Sequence, residues 1–175
     1  MPRVSIDNTP AASQALLGQI QQAFGATPNM FKAVANSPAA LQSMWAAFGA
    51  LGKGTLGAKL GEQLAVAIAN RNRCEYCLAA HTVLGQKAGA SCAEMSAAQA
   101  GQSGDARTAA ALAFALKVVE QRAQITDADV DRLRSAGFGE EQIVEIMAHV
   151  ALNLFTNYIN VALDIPVDFP KVALT

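Results

Sequence analysis

The chain has no surplus of positive charge. Its 175 residues carry 13 Lys and Arg against 14 Asp and Glu, a formal net charge of -1, so no basic field is available to hold nucleic-acid phosphates or anionic lipid. It also lacks any run of about 18 apolar residues, the length a membrane-crossing helix needs. The opening Met-Pro-Arg-Val-Ser-Ile-Asp-Asn-Thr-Pro does not show the charged-then-apolar order of a secretory signal. These absences predict a cytoplasmic protein without nucleic-acid or membrane partners. Strand signals are scarce too: no long segment alternates apolar and polar residues, and no Asn-Gly or Asp-Gly joins two β-branched runs. Cysteine is limited to three residues, an odd set, and Cys74 and Cys77 stand too close in sequence to staple a fold. Any task for that pair is reactive or metal-binding.

What is present is helical. Apolar residues make up 52% of the chain and aromatics only 6%. Alanine supplies much of the difference, and it favours close-packed helices. One domain over residues 1–175 is expected at this length. Thr9-Pro10 opens a helix that Gly25 closes, a short helix follows over 29–35, and Ser37-Pro38 opens another that breaks at Leu51-Gly52-Lys53-Gly54. From Gly57 to Ala69 the residues Leu60, Leu64, Ala67 and Ile68 share one face, after which Asn70-Arg71-Asn72-Arg73 interrupts. Further helices are predicted from Cys74 to Gly89, Ser91 to Ala100 and Arg107 to Arg122. Thr126 and Asp129 form a capping-box start for another. A last amphipathic helix carries Ile143, Ile146, Met147, Val150, Ala151, Leu154, Phe155 and Tyr158. The tail after Asp164, with Pro166 and Pro170, is expected to be extended.

The chemistry concentrates between Glu62 and His81. At roughly 100° per residue, Cys74, Cys77 and His81 fall within about 60° on one helical face. A reactive cysteine needs its thiolate, hence positive potential or a base. If Asn72 caps the helix, Cys74 lies in the first turn, where the helix dipole favours an anion. His81, one turn after Cys77, is placed to take the proton of that thiol. The two effects favour different nucleophiles, and sequence physics leaves the choice open. Glu62 lies on the preceding helix, which the Asn-rich turn folds back beside the thiols, where its carboxylate can orient the imidazole. A local disulfide between the two cysteines, exposed enough to reopen, suits a redox cycle, and peroxide reduction needs such an attacking and resolving pair. Cys-x2-Cys-x3-His with a carboxylate also offers four zinc ligands, although structural zinc sites mostly gather ligands from two segments. Cys92, His149, Arg71 and Arg73 are read as ordinary structural or solvated residues.

The arrangement Glu62-x11-Cys74-x-Tyr76-Cys77-x3-His81, in an all-helical chain of this length, resembles the alkylhydroperoxidase D (AhpD)-like group of the carboxymuconolactone decarboxylase superfamily. The resemblance is densest from Met44 to Ala93, and Asn157-Tyr158-Ile159-Asn160 also fits it. It implies an all-α, AhpD-like helical bundle that assembles as a homo-oligomer. It also implies a peroxidase-type oxidoreductase needing no bound cofactor. In that group's terms Cys77 attacks the hydroperoxide, Cys74 resolves it as a disulfide, and His81 with Glu62 relays protons, so the resemblance breaks the tie in favour of Cys77. The implied electron donor is a thiol or lipoyl-type reductant. Tyr76 departs from the His of the best-studied members and leaves the relay one member short. A non-catalytic redox sensor or zinc-binding interaction module is the alternative use of the same residues. The decarboxylase chemistry of the superfamily gives the thiol pair no task.

Overall fold

The local signals set most of the helix boundaries. A computed structural model describes residues 1–175. In it, a 3-10 turn at Ala11–Ser13 leads into α1 (Gln14–Phe24), followed by α2 (Asn29–Val34), α3 (Pro38–Leu51), α4 (Ala58–Arg71), α5 (Glu75–Lys87), α6 (Cys92–Gln99), α7 (Ala106–Glu120), α8 (Asp127–Ser135) and α9 (Glu140–Ala162). Ser37 caps α3 by accepting the Ala40 N–H at 3.2 Å, with Pro38 at the first helical position. Ser91 and Glu94 satisfy each other's backbone N–H groups at the start of α6. The Asp129 carboxylate accepts the Thr126 N–H at 2.8 Å, the capping box read from the sequence. Gly25 turns the chain out of α1 at φ 77, a left-handed conformation with little cost for glycine.

The centre of the bundle is α4. It packs against α5, α6, α7 and α9, and every residue from Gln63 to Ala69 is buried. The one-faced burial expected of this helix is therefore exceeded. Ala65, Ala67 and Ala69 are small enough to admit neighbours on all sides, and a helix apolar all round belongs inside. Leu64 and Ile68 are wholly buried here, with Leu41, Leu78, Leu112, Leu133 and Ile146 also at the core. Leu64→Ala is expected to cost about 2–5 kcal/mol through lost transfer energy and the cavity left behind. Chemical denaturation checks this as a lower midpoint with an unchanged slope.

Gly85 brings α5 close to α4. A methyl group there would come within 2.4 Å of the Met95 methyl and 3.3 Å of Glu62 Cβ. Its absence lets the two helices that carry Glu62 and His81 approach one another. The tail after Asp164 is extended as expected, and it lies along its own subunit. Asn29 donates its backbone N–H to Asp168 at 2.8 Å, Gln99 donates to the Ala173 carbonyl at 2.8 Å, and Asn70 accepts the Thr175 N–H at 3.0 Å. No helix is long and apolar enough to cross a membrane.

Candidate functional site

The turn between α4 and α5 differs from the sequence expectation. Asn72 closes α4 and does not cap α5, because Arg73 adopts φ 57 and reverses the chain immediately afterwards. Cys74 takes the cap position itself, and its Sγ accepts the Cys77 N–H at 3.3 Å. Asn72 instead donates its side-chain amide to Asn157 Oδ1 at 3.0 Å, tying the turn to α9.

Three helices converge on Cys77. From α5, His81 follows it by one turn. From α4, the Glu62 carboxylate meets His81 Nδ1 at 2.7 Å, with the imidazole side chain 11% exposed. From α9, Asn160 donates Nδ2 to Cys77 Sγ at 3.1 Å, and Asn157 is wholly buried beside it. Asn157 Nδ2 and Asn160 Oδ1 have no hydrogen-bond partner. In a protein interior such groups are nearly always satisfied, so an orphaned amide next to a thiol is a feature of the site. Neither asparagine carried a role in the sequence reading beyond the family likeness. The amphipathic pattern of α9 marks which face is buried but not what a polar residue on that face touches.

The electrostatics separate the two thiols. Burial opposes the Cys77 thiolate, but the Cys74 thiol, the charge on His81 and the amides of Asn160 and Asn157 outweigh it and bring the group from 9.0 down to about 7. Cys74 moves the other way, because its hydrogen bond to Cys77 and its own burial favour the neutral thiol. The dipole argument for Cys74 therefore fails. As the cap residue, its sulfur serves the neighbouring thiol instead of standing free within the first turn. Burial lowers the His81 pKa, yet the charge and hydrogen bond of Glu62 and the nearby Cys77 overcome this, and the net shift is upward. The pair is therefore biased toward a thiolate and an imidazolium. Both cysteines are buried, at 1% and 2% exposure, where the sequence reading anticipated an exposed pair. Asn160 of α9 packs against the Cys77 sulfur.

An apolar cavity of about 320 Å³ opens beside His81. Phe24, Phe31, Trp45 and Phe48 form one wall, with Phe31 meeting Trp45 edge-on at 5.8 Å. Tyr76 and Phe169 form another, also edge-on, at 5.7 Å. Its lining includes Glu62, His81, Thr156 and the Tyr76 hydroxyl, and neither cysteine. That hydroxyl accepts the Met30 N–H at 3.2 Å, and burial keeps it a neutral phenol. Tyr76 thus builds the wall of the cavity and fastens α2 to it. Behind Glu62 and His81 a smaller cavity of about 120 Å³ is shared with His149, which burial keeps below its ordinary pKa. His149, set aside in the sequence reading, is therefore near the carboxylate. Cys92 is exposed and bonded to Gln86, Arg71 pairs with Glu120, and Arg73 donates to the Thr175 carbonyl at 3.1 Å. None of the three meets the thiols. No three His, Cys, Asp or Glu side chains converge as a metal ion would require.

The chain is 26% identical to a peroxidase-related protein of Silicibacter sp. TM1040, whose function is uncharacterised, with a TM-score of 0.83 over 98% of this chain and 92% of the other. It shares the fold of an alkylhydroperoxidase AhpD core protein of Ralstonia eutropha JMP134 at 24% identity and a TM-score of 0.83, covering 96% and 91% of the two chains. It also shares the fold of the debrominase Bmp8, solved with 2,3,4-tribromopyrrole, at 21% identity and a TM-score of 0.77 over 90% and 86%. No curated protein matches the sequence. Residues 38–121, which include Glu62, Cys74, Cys77 and His81, match the Carboxymuconolactone decarboxylase family. The chain is thus similar to that family over residues 38–121 and has the AhpD-like fold over nearly its whole length.

Proposed function

We propose that the protein is a thiol-dependent peroxidase that reduces hydroperoxides through Cys77 and Cys74. The observation that carries this is the Cys77 sulfur, hydrogen-bonded by Asn160 and biased toward thiolate beside a Glu62-supported His81. In this reading the apolar part of a hydroperoxide rests among the aromatic side chains, and its O–O group approaches Cys77 past His81 and Tyr76. The thiolate attacks the nearer oxygen, the O–O bond breaks, and His81 gives its proton to the departing alkoxide. Cys77 is left as the sulfenic acid. Cys74 then attacks that sulfur, a disulfide forms, and the hydroxyl leaves as water with a proton returned through His81. An external thiol donor restores the pair, and the working unit is a homo-oligomer.

Reduced protein mixed with one equivalent of a small organic hydroperoxide is expected to lose two thiols per chain, with one alcohol produced. The second-order rate should rise with pH through a midpoint near 7, because only the thiolate reacts and Cys77 is protonated below that point. Unchanged thiol counts would remove the peroxidase reading. A second reading has support from the same cavity. Its aromatic lining suits a halogenated aromatic ring such as the tribromopyrrole held by Bmp8. Bromide release from that compound by the reduced protein, with thiols inert to hydroperoxide, would favour it.

A further inference from the structure

Neither thiol lines the aromatic cavity, which comes nearest the pair at His81 and Tyr76, but Cys74 does line another space. It lies at the floor of a separate cleft of about 290 Å³ on the other side of Tyr76, walled by Val161 of α9 and by Ile165 and Val167 of the tail. Arg73, Glu75 and Asp164 stand around it, one cation against two carboxylates. Asn160 lines the same cleft, is 4% exposed, and its Oδ1 has no hydrogen-bond partner. Tyr76 lines both spaces and divides them.

From this division we propose that the two half-reactions use opposite sides of the site: the oxidant approaches from the aromatic cavity, on the His81 side of Cys77, and a small neutral dithiol reduces the pair through the cleft that Cys74 lines. The inference rests on the redox reading of the thiol pair. Thiol-disulfide exchange proceeds through attack on one sulfur along the S–S axis, with the other sulfur as leaving group. The cleft presents Cys74, so a donor thiolate attacks Cys74 Sγ. A donor–Cys74 disulfide forms, the Cys74–Cys77 bond breaks, and Cys77 leaves as thiolate. That direction is chemically favoured, since Cys77 is the more acidic thiol and the lower-pKa sulfur leaves faster. The donor's second thiol then attacks its own sulfur in the mixed disulfide. The donor departs as a cyclic disulfide and Cys74 leaves with a proton, so two electrons have passed to the pair. Of the two donor protons, Cys74 keeps one and the other goes to solvent or His81. The unpartnered Asn160 carbonyl suits a donor that arrives carrying an S–H. The excess of carboxylates at the mouth disfavours an anionic thiol.

The test separates the half-reactions. Protein is oxidised with diamide, which needs no hydroperoxide, and dithiothreitol reduction is followed by quenched-flow alkylation. Val167→Trp and Val161→Trp narrow the cleft from its two walls, whereas Phe48→Trp narrows the aromatic cavity. The cleft variants should slow reduction about tenfold or more, as a blocked access path does, and leave oxidation by an organic hydroperoxide within about twofold of wild type. Phe48→Trp should do the reverse. Reduction slowed by Phe48→Trp, or unaffected by both cleft variants, would overturn the proposal. Hydroperoxide that leaves the thiols intact while diamide-formed disulfide is still reduced through the cleft would end the peroxidase reading and the oxidant half of this proposal, and uphold entry of the reductant at Cys74. If diamide forms no disulfide between Cys74 and Cys77, both readings fall.

Discussion

Cys77→Ser is expected to lower hydroperoxide turnover by about a thousandfold or more, the scale seen when an enzyme loses its nucleophile. Serine keeps the size and the hydrogen bond from Asn160, but its hydroxyl cannot ionise at neutral pH under the same influences that lower the thiol. Cys74 will not take over. Its thiol is buried, which opposes the thiolate, and its sulfur receives no side-chain amide as Cys77 does. Cys74→Ser should behave differently. Its Cys77 still attacks, one equivalent of peroxide is consumed, and the reaction then stalls at the sulfenic acid, which dimedone traps and mass spectrometry locates. Two thiols lost in wild type, one in Cys74→Ser and none in Cys77→Ser is the full pattern. Equal thiol loss in the two serine variants would contradict the assignment of roles.

The second large effect concerns Glu62. Its carboxylate, 2.7 Å from His81 Nδ1, is what raises the histidine pKa against burial. Glu62→Gln keeps a hydrogen-bonding group at that distance and removes the charge. The sign follows directly. The imidazolium becomes less favourable, Cys77 loses part of the positive charge that stabilises its thiolate, and the thiol pKa rises from about 7 toward its ordinary 9.0. The pH midpoint of the reaction with hydroperoxide therefore moves upward, and the rate at pH 7 falls about 10- to 100-fold through fewer thiolates and a weaker proton donor. At high pH most of the thiolate deficit disappears. A variant that is slow at every pH with an unmoved midpoint would mean that Glu62 only braces the fold.

The helices were legible because their end signals are local. Ser37-Pro38, Ser91 with Glu94, and Thr126 with Asp129 each announce a start within four residues, and the structure keeps all three. The grouping of Glu62, Cys74, Cys77 and His81 was visible in their spacing, and the structure brings Glu62 onto His81 and Cys74 onto Cys77. The choice between the thiols was not visible in the residues themselves. It depends on Arg73 turning the chain at φ 57, which makes Cys74 the cap, and on two asparagines 83 and 80 positions further on. Contacts of that separation have no periodic signature. The aromatic cavity was missed for the same reason. Phe24, Trp45, Tyr76 and Phe169 come from α1, α3, α5 and the tail, and each alone looks like an ordinary core side chain.

One feature of α9 limits how this chain can vary. Near its start Glu145 accepts the backbone N–H groups of Thr55 and Leu56, at 2.9 and 3.0 Å, and near its end Asn160 holds the Cys77 sulfur. Between these anchors the helix works as a reading frame. A single residue inserted or deleted there would turn the far end by about 100° and shift it by about 1.5 Å. Asn157 and Asn160 would rotate away from the thiols with every chemical group still in the sequence. Substitutions on the outer face, at Val144 or Tyr158, leave that phase untouched. For this segment the count of residues itself carries information, since one residue more or fewer changes what the buried face of α9 presents to Cys77.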